Sequence, residues 1–283
     1  MLKQWRRPIL ATVVVAFLVA VPIALLGDHS WGSYHWARSS NPLTLAVGDN
    51  MSANWDSYLN EAISDWNRSS VLELVKTTGG TRPKNCRPTS GRIEACNAQY
   101  GNTGWLGIAQ IWASGNHITQ AIAKMNDTYF NTATYNTPAW RRLVVCQEIA
   151  HDFGLDHQDE NFNNPNLGSC MDYTSDPDGP PSNEHPNQHD YEQLETIYSH
   201  LESAATISPR TSSAQGRGAA PPAFHDLEVG DNPGQWGRLV RQSRDGGISV
   251  YELDFGGGHK IITVVTWTLE MAAKNRALMG HDR

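Results

Sequence analysis

A chain of 283 residues has room for one substantial domain with an appendage, or for two small domains. Its net charge of -7 is unevenly spread: Leu143 to Pro209 holds thirteen Asp and Glu and no Lys or Arg, while the remainder is mildly basic. Nucleic acid is therefore excluded as an expected partner, because phosphate binding needs a basic face.

The first residues, MLKQWRR, carry three positive charges and precede PILATVVVAFLVAVPIALLG, twenty residues without a charge. A basic cluster followed by an apolar run marks an export segment. The run is long for a signal peptide and about long enough to span a bilayer. The best small-x-small cleavage pattern is the weak Leu25-x-Gly27. A cleaved signal and an uncleaved anchor both stay open over residues 1–27. Either way Lys3, Arg6 and Arg7 stay inside and the rest is delivered outside, secreted or anchored, with membrane contact through this segment alone.

Beyond a polar connector over 28–42, Leu43 to Val47 reads as a strand ended by Gly48-Asp49-Asn50. Ser52 caps a helix over roughly 53–67, in which Trp55, Leu59, Ala62, Ile63 and Trp66 recur at helical spacing. Val71 to Val75 is a second strand, and a polar loop spans Cys86 to Cys96. Leu106 to Trp112 and Ile118 to Met125 are two further strands. Thr137-Pro138 starts a helix, with a capping Thr and Pro in the first turn, that runs to Gly154. An irregular polar stretch follows from Gln158 to Pro186, and Tyr191, Leu194, Tyr198 and Leu201 form the inner face of a last helix. That order reads as α+β, a mixed twisted sheet backed by two or three helices. Residues 204–234 are small, polar and Pro/Gly-rich, a linker. Past it, WGRLVRQ, ISVYELDF and KIITVVTWTL, separated by glycine turns, form a small C-terminal β-meander over 235–270. It either extends the main sheet or stands as its own module.

Four cysteines in an exported chain suggest two disulfides, for which three pairings exist. Cys86 and Cys96 enclose a short loop, so a local bridge is simplest, and Cys146 is left with Cys170.

Most of the chemistry gathers in Cys146-Gln147-Glu148-Ile149-Ala150-His151-Asp152-Phe153-Gly154-Leu155-Asp156-His157. On a helix, positions 147 and 151 lie one turn apart on one face. They can grip one metal ion, with Glu148 beside them to take a proton from water. Gly154 lets the chain turn sharply without a Cβ clash, and His157 returns as a third ligand. A catalytic zinc wants three protein ligands and one open position. Asp159, Glu160, Asp176 and Asp178 are candidate calcium ligands, although a solvated acidic loop explains them as well.

QEIAHDFGLDH resembles the metzincin zinc helix, HExxHxxGxxH, and Ser169-Cys170-Met171-Asp172-Tyr173 resembles the Met-turn of that family. Trp36, the LTLAV strand, the helix ending near Trp66 and the closing helix resemble its matrixin-like branch. The resemblance spans about residues 34–203. It implies a metzincin-like catalytic domain and a zinc-dependent endopeptidase acting on protein or peptide substrates. His151 and His157 would be zinc ligands, Glu148 the general base, Tyr173 the oxyanion stabiliser and Met171 the apolar floor. The departure is Gln147, where the first histidine belongs: its carboxamide is a neutral, weaker ligand than imidazole. Gln147 then serves as a poor ligand, or a water replaces it, or the chain is a metal-poor pseudopeptidase that binds at the cell surface. In this setting a Cys146–Cys170 bridge would pin the floor to the helix. The competing role for Cys146, a thiolate ligand, sits about 100° around the helix from the metal-facing stripe. Between the apolar segment and Leu43 there is too little chain for a folded prodomain, and with both bridges formed no cysteine is spare, so cysteine-switch latency is not expected.

Overall fold

The computed structural model describes residues 28–162, 164–206 and 224–281; the export segment 1–27 and most of the expected linker lie outside them. Among the described residues no helix is long and apolar enough to cross a membrane. The chain is α+β, with one mixed sheet of eight strands.

Strand β1 (Leu43–Asn50) leads through helix α1 (Asp56–Trp66) into β2 (Leu72–Thr78), and the two strands pair in parallel. Strand β3 (Arg92–Ala98) lies on the other side of β1, again parallel. Next to it comes β5 (His117–Asn126), parallel, and then β4 (Trp105–Ser114), antiparallel to β5. Strands β4 and β5 are buried on both faces, which their continuous apolar runs require. A short helix, α2 (Asp127–Phe130), leads toward the long α3 (Pro138–His151). Helix α4 (Gln188–Ile197) closes the first part of the chain. The last three strands, β6 (Arg238–Gln242), β7 (Ile248–Asp254) and β8 (His259–Trp267), are a meander, and α5 (Leu269–His281) ends it.

The order across the sheet is β2-β1-β3-β5-β4-β8-β7-β6. The meander therefore extends the main sheet, through a nine-pair antiparallel register of β8 on β4 from Trp105↔Trp267 to Ser114↔His259. Strand β4 would otherwise be an edge with a row of open N–H and C=O groups.

One face of the sheet packs on α1, α3 and α4 around Trp36, Trp55, Trp66, Phe153 and Tyr198. The other face is covered by the Cys86–Cys96 loop and by residues 224–236, where Phe224 and Trp236 are buried beside Trp105, Trp112 and Trp267. The last part of the expected linker is thus a layer of the core. Both disulfides are present, Cys86–Cys96 and Cys146–Cys170, and no cysteine is free, so a thiolate role for Cys146 is ruled out in this state.

Three further expectations are corrected. The Cys86–Cys96 segment contains β3, masked in the sequence by its charges: Glu94 is fully buried, bonded by Asn50 at 2.7 Å, by the Gly80 amide at 3.1 Å, and by Arg92 and Thr89. Leu201 lies beyond α4 and is exposed, because α4 stops at Ile197 after starting from an Asn187/Asp190 capping box. Helix α5 was not anticipated.

Candidate metal and catalytic site

Thr137 starts α3 as expected, its side chain accepting from the Trp140 amide, with Pro138 in the first turn. The helix lies so deep that Cys146, Gln147, Glu148 and His151 are all buried. Its end is fastened by long-range bonds. The Trp36 indole donates to the Asp152 carbonyl at 2.8 Å, and the Tyr198 hydroxyl donates to that of Phe153 at 2.8 Å. Gly154 then takes φ 106°, and a Cβ there would stand 2.6 Å from the Tyr34 carbonyl oxygen. Glycine is required twice over, by conformation and by this close strap.

The turn brings His157 back to His151: the ring centroids are 4.5 Å apart. His151 Nδ1 lies 2.7 Å from the Leu155 carbonyl, which can only accept, so the proton sits on Nδ1. The Trp31 indole nitrogen, at 3.3 Å, is a more distant neighbour of the same atom. Nε2 is then left with a bare lone pair, and it has no hydrogen-bond partner. Both ring nitrogens of His157 are likewise buried and without a hydrogen bond, Nδ1 standing 3.5 Å from Asp156 and 3.7 Å from Glu160. Burial, and after it the neighbouring His157, hold the His151 imidazole well below the ordinary histidine range.

Gln147 is engaged differently. Its amide donates to the Cys170 carbonyl at 3.0 Å, and its oxygen lies 3.0 Å from the Thr266 hydroxyl of β8. The same hydroxyl is 2.7 Å from Glu148 Oε1. One hydroxyl proton cannot serve both oxygens. A proton on Glu148 resolves this: Glu148 donates to Thr266, and Thr266 donates to Gln147. Burial pushes the Glu148 carboxyl up to about 8, which is consistent with a neutral acid at pH 7. Glu148 fits only because β4 has Gly107 opposite it, where a Cβ would stand 2.7 Å from Glu148 Cδ. Beside it, Asp152 is buried with neither oxygen partnered, and burial followed by Glu148 raises it well above the usual carboxylate range.

Met171 is fully buried in the cluster that includes Cys146 and Ile149. Its loop is tied to the chain just after His157, the Gln158 amide donating to the Met171 carbonyl at 2.6 Å and the Tyr173 amide to that of Asp159 at 3.0 Å. The Tyr173 hydroxyl, expected to face a substrate, donates to the Trp267 carbonyl at 2.7 Å, and its ring packs on Gly247. Arg241 of β6 bonds Asp156 at 2.6 Å and Glu160 at 2.5 Å, with its guanidinium 5.2 Å over the Trp31 ring. It supplies the cationic charge in the Asp156–His157–Glu160 group, whose ligand atoms lie within 4.8 Å of one another. Glu160 is thereby drawn away from any calcium cluster, while Asp159 bonds Asn161 and Asn164 in its own loop. Among the described residues, Asp159, Asp176 and Asp178 join no group of three such ligands.

Glu148 and His151 thus sit on α3 with His157 beside His151, and the meander meets Glu148 through Thr266, Tyr173 through Trp267, and Asp156 and Glu160 through Arg241. Sequence reasoning missed Thr266, Trp267 and Arg241, which make these contacts. No spacing signal connects them to α3, because the contacts span 80 residues or more. Comparison with protein-family models and with curated proteins returns no match.

Proposed function

We propose that this chain is an exported zinc-dependent endopeptidase of metzincin type, held closed by its own C-terminal meander. The observation that carries the reading is the pair of buried imidazoles, six residues apart across a glycine turn, whose Nε2 atoms have no partner inside the protein. Buried nitrogens of this kind are costly unless something binds them. His151 and His157 would hold the ion, and the Nδ1–H bond to Leu155 fixes His151 in the tautomer a metal ligand needs. When bound, zinc would supply an acidified water and polarise a peptide carbonyl. Glu148 is the group that would accept and return the proton. In the closed form burial favours its neutral state, so its basic role calls for Thr266 to withdraw and water to reach it. Tyr173 becomes a donor toward substrate once its bond to Trp267 is broken.

A second reading has its own support. Gln147 spends both ends of its carboxamide on Cys170 and Thr266, which leaves the metal with two ligands from this motif. That arrangement suits a metal-poor pseudopeptidase acting as a binding module. Bound zinc per full-length chain and hydrolysis of an unfolded protein separate the two. The peptidase reading expects both, raised in a Gln147→His variant. No activity in either protein, and no zinc lost on His151→Ala substitution, would leave the binding module.

A further inference from the structure

We infer a second metal site, which braces the fold, built from His35, His200 and Glu202, whose ligand atoms lie within 4.8 Å of one another, with His117 bonded to the same carboxylate beside it. Three separate parts of the fold meet there. His35 lies on the N-terminal strap, His117 opens β5, and His200 and Glu202 follow α4. The backbone holds these parts in place: the His35 amide donates to the Asn116 carbonyl at 3.0 Å, that of Ile118 to the His35 carbonyl at 2.8 Å, and that of Glu202 to the Arg38 carbonyl at 2.8 Å. The four side chains line one surface cavity of about 440 Å³.

Their ligand atoms converge. Glu202 Oε1 lies 3.0 Å from His35 Nε2, 2.7 Å from His117 Nε2 and 3.5 Å from His200 Nε2. Two ligands on a tetrahedral zinc, each about 2.0–2.1 Å from it, stand about 3.3 Å apart. His200 is near that spacing from Glu202, while His35 and His117 sit at hydrogen-bond distance, so His35 would draw back by a few tenths of an ångström to admit an ion. The rings do not stack. His35 meets His117 at 86° and His200 at 77°, edge to face, with centroids 5.1 Å apart in both cases.

Hydrogen bonding makes the cation more than a geometric option. His35 Nδ1 is 2.7 Å from the Ser33 carbonyl, an acceptor, so Nδ1 carries the proton. In the neutral ring Nε2 then points a lone pair at a carboxylate oxygen 3.0 Å away. Two lone pairs at that distance repel unless a positive charge, a second proton or a bound metal ion, lies between them. A backbone carbonyl behind Nδ1 is also the usual support of a metal-bound imidazole. The other carboxylate oxygen, Oε2, is buried and has no partner. Two imidazoles and a carboxylate, with no thiolate, suit zinc or a neighbouring late transition ion. Coming from two parts of the fold, these three ligands would let the ion brace it, with water in the fourth position. The ion would clip the strap, which carries Trp31 against His151 and Gly154, to the segment after α4.

The test uses the full chain, stripped with chelator and titrated with zinc, read by metal content, calorimetry and thermal midpoint. Co2+ in place of zinc should give the visible bands of a tetrahedral site. The ligand His200 and its neighbour His117 are the more exposed histidines of the cluster, so a His117→Ala/His200→Ala variant is expected to fold. It should lose one zinc equivalent, the cobalt bands of this site and the zinc-dependent rise in midpoint. A His151→Ala/His157→Ala variant should keep all three, so failure here and failure of the peptidase reading are distinguishable. Should that second variant fail to fold, the first still decides. An unchanged zinc count and midpoint shift in His117→Ala/His200→Ala would overturn the site and leave a cluster of protonated histidines.

Discussion

Two histidine-carboxylate groups of this protein, one on α3 and one at the strap, use the same residue types and end in opposite electrostatic states. On α3, Glu148 is sealed from water and meets a hydroxyl and a carboxamide; burial pushes it up to about 8 and it keeps its proton. At the strap, burial would also raise Glu202, but the hydrogen bonds and charges of His35 and His117 outweigh it and hold the carboxyl below its usual value. A neutral acid next to empty imidazole nitrogens describes a closed site. An ionised carboxylate among three imidazoles describes one ready for a cation. What separates them is the company each acid keeps, and β8 decides that company for Glu148.

That contrast can be broken in several ways. Removing the bridge beneath the buried group, by Cys146→Ala/Cys170→Ala, should have the largest effect, a loss of about 2–5 kcal/mol in denaturant unfolding. No comparable loss is expected at the strap. Gly107→Ala should cost about 1–3 kcal/mol by crowding Glu148. In the Glu148→Ala background most of that cost should vanish, a coupling that a double-mutant cycle measures. Thr266→Val strands the oxygens of Gln147 and Glu148 and should cost about 1–3 kcal/mol.

The pH dependence of the metal-free chain should run in opposite directions at the two acids. Glu148 has a folded value above its ordinary 4.5, so its contribution is full below 4.5 and is lost as pH rises through about 8. Glu202 is depressed, so its contribution is present above 4.5 and is lost as pH falls through its lower folded value. Glu148→Gln should flatten the alkaline slope of stability and Glu202→Gln the acid one. If the two variants flatten the same limb, the contrast is wrong. The smallest effect belongs to His200→Ala, below about 0.5 kcal/mol without metal.

Local patterns explain which parts were legible from the chain alone. Thr137-Pro138 and the apolar stripe of α3 are short-range signals, as are the strands β1, β4 and β5 and the Cys86–Cys96 loop closure. The polar strand β3 was hidden because Glu94 is buried with partners from β1 and the loop after β2 as well as from its own strand. The meander was recognisable as three strands, yet its position against β4 depends on pairing between strands more than a hundred residues apart. The contacts of Thr266 and Trp267 with Glu148 and Tyr173 were therefore invisible in the sequence. His35, His117 and His200 each look like an ordinary surface histidine in sequence. Only the fold brings them to one carboxylate.

The central claim is that the meander closes a working site. The most direct measurement is hydrolysis of an unfolded protein substrate by the zinc-loaded full chain with Thr266→Ala and Arg241→Ala combined, which loosen the cover at Glu148 and at Asp156 and Glu160. The account predicts cleavage above that of the unaltered chain and its loss when Glu148→Gln is added. No cleavage by a folded, zinc-bound loosened variant, or cleavage that survives Glu148→Gln, would contradict it.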